Sequence, residues 1–290
     1  MAMVELRNFD VYITMTTSVT LRLLDTGYCL VSERHMLRGG AKTTLECHAL
    51  VGLIEHPTEG FILFDTGYAP RMLAATASLP YALYRAATPL RLDPALALVA
   101  QLPRLGIAPE DVTTVVISHF HADHIAGLHD FPVARLIATQ EGYAAVAELR
   151  GLAALRRAFL PSLMPRDFAA RATLLSDFSG PALPALGPTH DVFGDGMLRL
   201  VRLPGHACGQ IGTLVQTERG PVLLAADGAW HSRAVREQRP PAAVTRFVVD
   251  DWHAVDDTIR RLHAFSQACP DVAILPTHCP EVYRDWVIPG

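Results

Sequence analysis

The densest group of side chains able to do chemistry is Ser118-His119-Phe120-His121-Ala122-Asp123-His124, four imidazole or carboxylate donors within six residues. A lone histidine is usually a surface or core residue; three around one aspartate at this spacing read as metal ligands. Three further donors stand in tight-turn contexts: His206 in Pro204-Gly205-His206-Ala207-Cys208-Gly209, Asp227 before Gly228, and His278 in Pro276-Thr277-His278. Glycines on both sides of His206 permit a tight loop and close approach to an ion. Neutral imidazole and carboxylate together suit zinc, iron or manganese, and they do not fit a cysteine-rich structural zinc. Ser118 reads as a structural hydroxyl, and no G-x-S-x-G turn presents a nucleophilic serine. His35, His48, His56, His129, His190, His253 and His263 lack such a context and read as surface or core residues; His231, just past Asp227, reads equally as a pocket residue or an exposed one.

Each donor follows a short buried strand that must position it. Residues 112–117 form a β-branched strand ending at Ser118, so His119 and His121 converge only if the chain leaves strand geometry there. Residues 197–203 alternate as a strand before His206, 221–226 form a buried strand before Asp227, and 272–275 do so before His278. Upstream, the apolar stretch 44–55, the turn His56-Pro57-Thr58-Glu59-Gly60 and the strand 61–64 read as a hairpin that runs into Asp65-Thr66-Gly67. Residues 134–138 and 211–216 are further strands, and Thr139 caps a helix reaching Leu149. Val255, Ile259, Leu262 and Phe265 recur at helical spacing, which predicts an amphipathic helix over 250–266. Residues 72–106 read as helices broken at Pro80, Pro89 and Pro94, and 150–190 as mixed helical and Pro-rich chain. The order suits an α/β or α+β layered domain.

The pattern H-x-H-x-D-H, then Gly205-His206, a strand-end Asp227 and a late His278, resembles the metallo-β-lactamase superfamily of hydrolases. Asp65-Thr66-Gly67 matches it too, and the resemblance spans about residues 44–279. Within the superfamily the chain is most similar to the lactonases that open N-acyl-homoserine lactones or 4-pyridoxolactone. The resemblance implies a single domain over residues 1–290, folded as a four-layer αββα sandwich with the site at one edge. It also implies two divalent metal ions, zinc first, with iron or manganese as alternatives. His119, His121 and His206 would hold one ion; Asp123, His124 and His278 would hold the other; Asp227 would bridge them. Asp65 would orient a ligand histidine from behind. Asp123 and Asp227 would be the catalytic carboxylates, serving a metal-bridging hydroxide that attacks a lactone or ester carbonyl, with Asp123 carrying a proton to the leaving group. The sequence departs from many lactonases at Trp230, three residues after Asp227, where they carry a tyrosine. An indole donates one hydrogen bond but cannot act as a phenol does.

Helical insertions near 68–105 and 140–190 are expected to cover the site, and their apolar content suits a small apolar substrate. Phe159, Met164 and Trp230 are expected to line its pocket; Arg156, Arg157 and Arg166 read as solvated charges. Half of the 290 residues are hydrophobic and 19% are charged, which excludes a disordered chain. A formal charge of −4 gives no general attraction to nucleic acid or anionic membrane. No run of 18 apolar residues predicts a membrane span, and residues 1–10 show no signal-peptide pattern. Five cysteines without paired spacing read as free thiols of a reducing compartment, with the cytoplasm expected. The expected partner is a small molecule; the oligomeric state is open, a homodimer included. Two other readings compete: a thioesterase or mononuclear-iron persulfide dioxygenase on the same fold, and a non-catalytic metal-binding regulatory protein.

Overall fold

A computed structural model describes residues 18–287; the reading of residues 1–10 falls outside them. The first sheet is built from β1 (Thr20–Ser32), β2 (Thr44–His56), β3 (Gly60–Phe64), β4 (Leu90–Arg91), β5 (Val112–Val116), β6 (Arg135–Thr139) and β7 (Ala172–Leu175). The second comprises β8 (Gly180–Leu183), β9 (Gly187–Asp191), β10 (Leu198–Arg202), β11 (Ile211–Thr217), β12 (Gly220–Ala226) and β13 (Ala273–Pro276). Their orders are β4-β1-β2-β3-β5-β6-β7 and β13-β12-β11-β10-β9-β8. The expected hairpin is the antiparallel pair β2–β3.

The strands read as apolar runs because both faces are covered. Every residue of β2 from Cys47 to Ile54 is buried. Between the sheets, Leu50, Ile54, Ile62 and Phe64 meet Leu200, Val215 and Leu224. The outer face of the first sheet, with Val51, Leu63 and Val115, packs on Met72, Leu102 and Phe131. The outer face of the second carries Val201, Leu214 and Leu223 against Val255, Ile259, Leu262 and Phe265 of the helix Trp252–Ala268. Each such side chain contributes roughly 1.5–3 kcal/mol on burial. That helix starts where Asp251 accepts hydrogen bonds from the N–H groups of His253 and Ala254. These layers form an αββα sandwich.

Two stretches differ from the sequence reading. β1 supplies a long strand upstream of residue 44; Arg22, Asp25 and Gly27 interrupt its alternation, and a bulge lies between Asp25 and Tyr28. The cover expected over 140–190 is α-helical only at Gln140–Val146, Gly151–Arg156 and Phe168–Arg171, with one 3-10 turn at Pro161–Leu163. Its remainder supplies β7, β8 and β9, which extend both sheets and are too short to display a period of two. The first insertion does form helices, at Arg71–Ala75, Ala82–Ala87 and Leu98–Gln101. Among the described residues no helix is long and apolar enough to cross a membrane.

Candidate metal centre

The donors follow the C-terminal ends of β5, β10, β12 and β13. Parallel pairing of β3 with β5, and of β12 with β13, sets those ends side by side within each sheet. Beyond Val116 the chain leaves strand geometry, and a one-turn helix, Ala122–Ile125, carries Asp123 and His124. His206 enters through Gly205, whose φ is +125° and whose missing Cβ would run into the backbone of Ala254 and Val255. Only glycine fits that approach. Asp65 follows β3 with φ +66°, an uncommon conformation for a residue with a side chain, and it is held there by hydrogen bonds.

All seven donors read from the sequence meet in one cluster. The ligand atoms of His119, His121 and His206 lie within 4.8 Å of one another, as do those of Asp123, His124 and His278, and those of His119, His124 and Asp227. Asp227 faces both trios: one oxygen is 3.1 Å from His206 Nε2, and the other is 3.4 Å from His124 Nε2 and 3.3 Å from His278 Nε2. His121 Nδ1 and His206 Nε2 face each other at 2.9 Å. Ligands held about 2.0–2.1 Å from one ion sit roughly 3–4 Å apart, and the His121–His206 pair at 2.9 Å and the Asp123–His278 pair at 3.4 Å lie near that spacing.

The groups behind the donors fix which nitrogen is free. His124 Nδ1–H donates to Asp65 Oδ2 at 2.7 Å, and His278 Nδ1–H donates to the His48 carbonyl at 2.7 Å. His119 Nδ1–H donates to Ser118 Oγ at 2.9 Å; that hydroxyl donates in turn to Asp65 Oδ2 at 2.7 Å, and Ser118 N–H donates to Asp65 Oδ1 at 2.7 Å. Each Nε2 lone pair is thereby turned toward the cluster. His119 Nε2, His124 Nε2 and Asp227 Oδ1 are buried without a hydrogen-bond partner. Buried polar atoms left unpaired are costly, and cations are what this donor set would pair with. The residues fit divalent ions.

Electrostatics agree. Burial, then the neighbouring imidazoles, holds His119 well below the ordinary histidine range. Burial also holds His206 well below it, against the pull of Asp227, and lowers His121. These three stand in the neutral, ligating form. Burial disfavours charge on His124 and His278 as well, but Asp65 and Asp227 outweigh it at His124, and Asp227 with Asp123 pushes His278 up to about 9. Asp227 is buried, yet the imidazoles of His278, His206 and His124 hold its carboxyl well below the usual range. Without a cation, protons on two histidines carry the charge that balances the carboxylates.

A cavity of about 530 Å³ opens on the cluster and is lined by His121, Asp123, His206, Asp227 and His278. Trp230 lines it as expected, and its indole N–H donates to Asp227 Oδ2 at 3.0 Å. Phe159 and Met164 are placed elsewhere. Phe159 is 2% exposed and sits in the core behind the cavity, with Met164 packed half-buried against the same cluster. The turn after Gly151–Arg156, with Ala158 at φ +46°, swings Phe159 inward, so Leu155 and Ala158 form that wall instead. Arg156 stands at the wall, Arg166 is exposed, and Arg157 pairs with Asp250.

The sequence reading missed three groups. Tyr84 lines the cavity from the helix Ala82–Ala87, and burial together with the charge of Asp123 raises its hydroxyl well above the usual phenol range. It remains a proton donor. His48 is buried and supplies the carbonyl that orients His278, a backbone role that leaves no residue-type signal. His231 is also buried, and its Nδ1 accepts from Arg233 N–H at the start of the helix Ser232–Arg236. Neighbouring Cys279 accepts from Ser232 N–H, and Glu281 pairs with Arg236, so this group serves the packing of two helices.

Comparison with known proteins agrees with this geometry. The family model described as the metallo-beta-lactamase superfamily matches residues 45–237. The chain is 34% identical over 150 residues to N-acyl homoserine lactonase AttM of Azorhizobium caulinodans, covering 49% of this chain and 51% of that protein. It is 28% identical over 262 residues to the probable metallo-hydrolase Rv2300c of Mycobacterium tuberculosis, covering 83% and 76%. The chain spans about half the length of the first of these relatives. Among solved structures, an N-acyl homoserine lactone hydrolase with N-hexanoyl-L-homoserine at its catalytic metal centre superposes with a TM-score of 0.72 at 19% identity, over 94% of this chain and 99% of that one. A Bacillus thuringiensis AiiA variant with N-decanoyl-L-homoserine bound gives 0.73 at 20% identity, over the same shares. The family match extends over more than half of the chain, from β2 to the helix beyond Asp227, and on that ground the chain belongs to the metallo-beta-lactamase superfamily.

Proposed function

We propose that this protein is a dinuclear metal-dependent hydrolase that opens lactones bearing an apolar acyl chain, N-acyl homoserine lactones among them. The observation that carries the reading is the position of the seven-donor cluster at the floor of a cavity whose walls are largely apolar. Val31, Leu83, Leu155, Val244 and Val248 surround the polar floor, an arrangement that suits a polar ring head with an apolar tail. The relatives named as lactonases, and the acyl-homoserine products bound in two structural neighbours, support this substrate class.

Bound in the two trios, divalent ions, zinc by ligand type, would polarise the carbonyl and bring the pKa of water towards about 7. The chain's own residues do the rest. Asp65, Ser118 and the His48 carbonyl hold the imidazoles in the tautomer that offers a lone pair. Trp230 holds one oxygen of Asp227, so the carboxylate cannot rotate away from the two trios. Asp123 lies in the cavity floor, where a carboxyl can return a proton to the departing alkoxide. Tyr84 lines the same cavity, close enough for the charge of Asp123 to raise its hydroxyl, and offers the phenol O–H that Trp230 lacks. The apolar walls exclude water from the ring.

A panel of homoserine lactones with short to long acyl chains, aryl esters and thioesters, followed by acid release, tests the proposal. Turnover of the lactones that rises with acyl length supports it. Turnover confined to thioesters, or none at all in protein holding its metal, refutes it.

A further inference from the structure

Three sulfur atoms meet in the wall of the same cavity. Cys29 of β1 and Cys47 of β2 stand directly opposite each other in an antiparallel pair, so their side chains share a face. Both line the cavity, together with Met36 from the one-turn helix Glu33–Met36. Cys47 Sγ lies 3.2 Å from Met36 Sδ. All three residues are buried, and both cysteines are free. An independent feature is Tyr68, 1% exposed, whose hydroxyl has no hydrogen-bond partner. Hydrogen bonding from Cys47 lowers the Cys29 thiol, against burial, and the same contact raises Cys47 well above the ordinary range, so Cys29 is the first of the two to ionise. The unpaired phenol of Tyr68 is free to donate to a sulfur anion.

The register decides what the pair can do. Leu30 N–H donates to the Pro89 carbonyl, on the side away from β2, so by alternation the backbone of Cys29 faces β2. Cys29 and Cys47 thus occupy a hydrogen-bonded position, where Cβ atoms stand about 5.5 Å apart. A disulfide needs about 3.5–4.5 Å. An ion about 2.3 Å from each sulfur spans the wider gap without moving the strands. Thiolate and thioether donors select soft d10 ions, Cu(I) above all, whereas the neighbouring imidazoles and carboxylates suit harder divalent ions.

We infer that Cys29, Cys47 and Met36 form a thiolate–thiolate–thioether site for Cu(I), separate from the histidine–aspartate centre and opening on the same cavity. Binding displaces two thiol protons to solvent, and the coordinated sulfurs remain thiolates. Tyr68 O–H then gains its missing acceptor.

The test uses the divalent-metal-loaded protein under anaerobic conditions, titrated against the coloured Cu(I)–bicinchoninate complex. The unmodified chain is expected to withdraw one equivalent of Cu(I). Cys29→Ser and Cys47→Ser are each expected to weaken binding by more than about 100-fold, and the volume-conserving Met36→Leu by about tenfold. Cys208→Ser, at an exposed cysteine outside the cluster, is the control and should bind as the unmodified chain does. X-ray absorption should show sulfur-only coordination. The inference is overturned if the unmodified chain leaves the complex unchanged, if folded cysteine variants bind as tightly as it does, or if absorption shows nitrogen ligands. If the serine variants do not fold, Met36→Leu decides: unchanged affinity overturns the site.

Discussion

Replacing Asp65 by Asn is the sharpest probe of how the metal centre is held. Asp65 is buried and accepts three hydrogen bonds, each 2.7 Å long: His124 Nδ1–H and Ser118 Oγ–H on one oxygen, Ser118 N–H on the other. Asparagine keeps the volume but turns one acceptor into a donor. With the amide nitrogen towards His124, the imidazole must shift its proton to Nε2 and loses the lone pair a metal needs. With the amide reversed, its N–H₂ meets Ser118 N–H and the peptide is forced aside. The first orientation loses the ligating tautomer of His124 and the second displaces the Ser118 peptide that leads into His119; a ligand is disturbed in both, an effect typically worth 10–100-fold in metal affinity, about 1.4–2.8 kcal/mol. The assay is competition for zinc with a chromophoric chelator at fixed pH. Ser118→Ala is the companion variant: it leaves His124 its bond to Asp65 and removes the partner of His119. The expected result is weaker zinc binding for Asp65→Asn, by at least tenfold, with no loss of the folded state in chelator. An affinity within threefold of the unmodified chain would refute the claim that Asp65 sets the tautomer of His124.

Three other outcomes follow from the same geometry. In metal-free protein His278, with its pKa raised to about 9 from 6.5, adds stability that is complete below about pH 6.5 and disappears as the pH rises through 9. At about 1.36 kcal/mol per unit it amounts to at most about 3–4 kcal/mol, and denaturant melts across that window should show the decline in chelator but not in metal-loaded protein. The neutral His119 and His206 act in reverse and destabilise the metal-free fold as the pH falls below about 6.5. Tyr84→Phe removes the cavity phenol beside Asp123 and should lower lactone kcat about 100-fold with metal content unchanged, since all seven clustered donors stay in place; unchanged kcat would show that Tyr84 is only a wall. Gly205→Ala should cost more than about 2 kcal/mol, because φ is +125° and the added methyl meets the start of the helix Trp252–Ala268; a stable variant with full metal content would contradict the close approach argued for His206.

The site was more legible in the sequence than the walls around it, for a physical reason. A metal centre demands particular donors at strand ends, so His119, His121, Asp123, His124, His206, Asp227 and His278 carry their chemistry in their residue types. Asp65 could be read through its turn tripeptide. The pocket wall needs only apolar surface, which any of several residues can supply. Phe159 and Leu155 look alike in sequence, and a single left-handed residue, Ala158, decides which one faces the cavity. Tyr84 comes from a helix of six residues, too short to show a face. The His48 carbonyl is invisible because every residue has one. The same holds for the fold: helix Trp252–Ala268 announces itself by spacing, whereas β7 and β8 are short edge strands, with short β9 beside β8, and their place is set by tertiary pairing.

The central claim is that seven side chains, shared between two trios and bridged by Asp227, hold two divalent ions. Elemental analysis of protein purified without chelator tests it most directly, alongside Asp227→Ala handled identically. The account predicts two equivalents of metal per chain, falling to one or fewer in a folded Asp227→Ala variant. No bound metal, or two equivalents retained without Asp227, would contradict it.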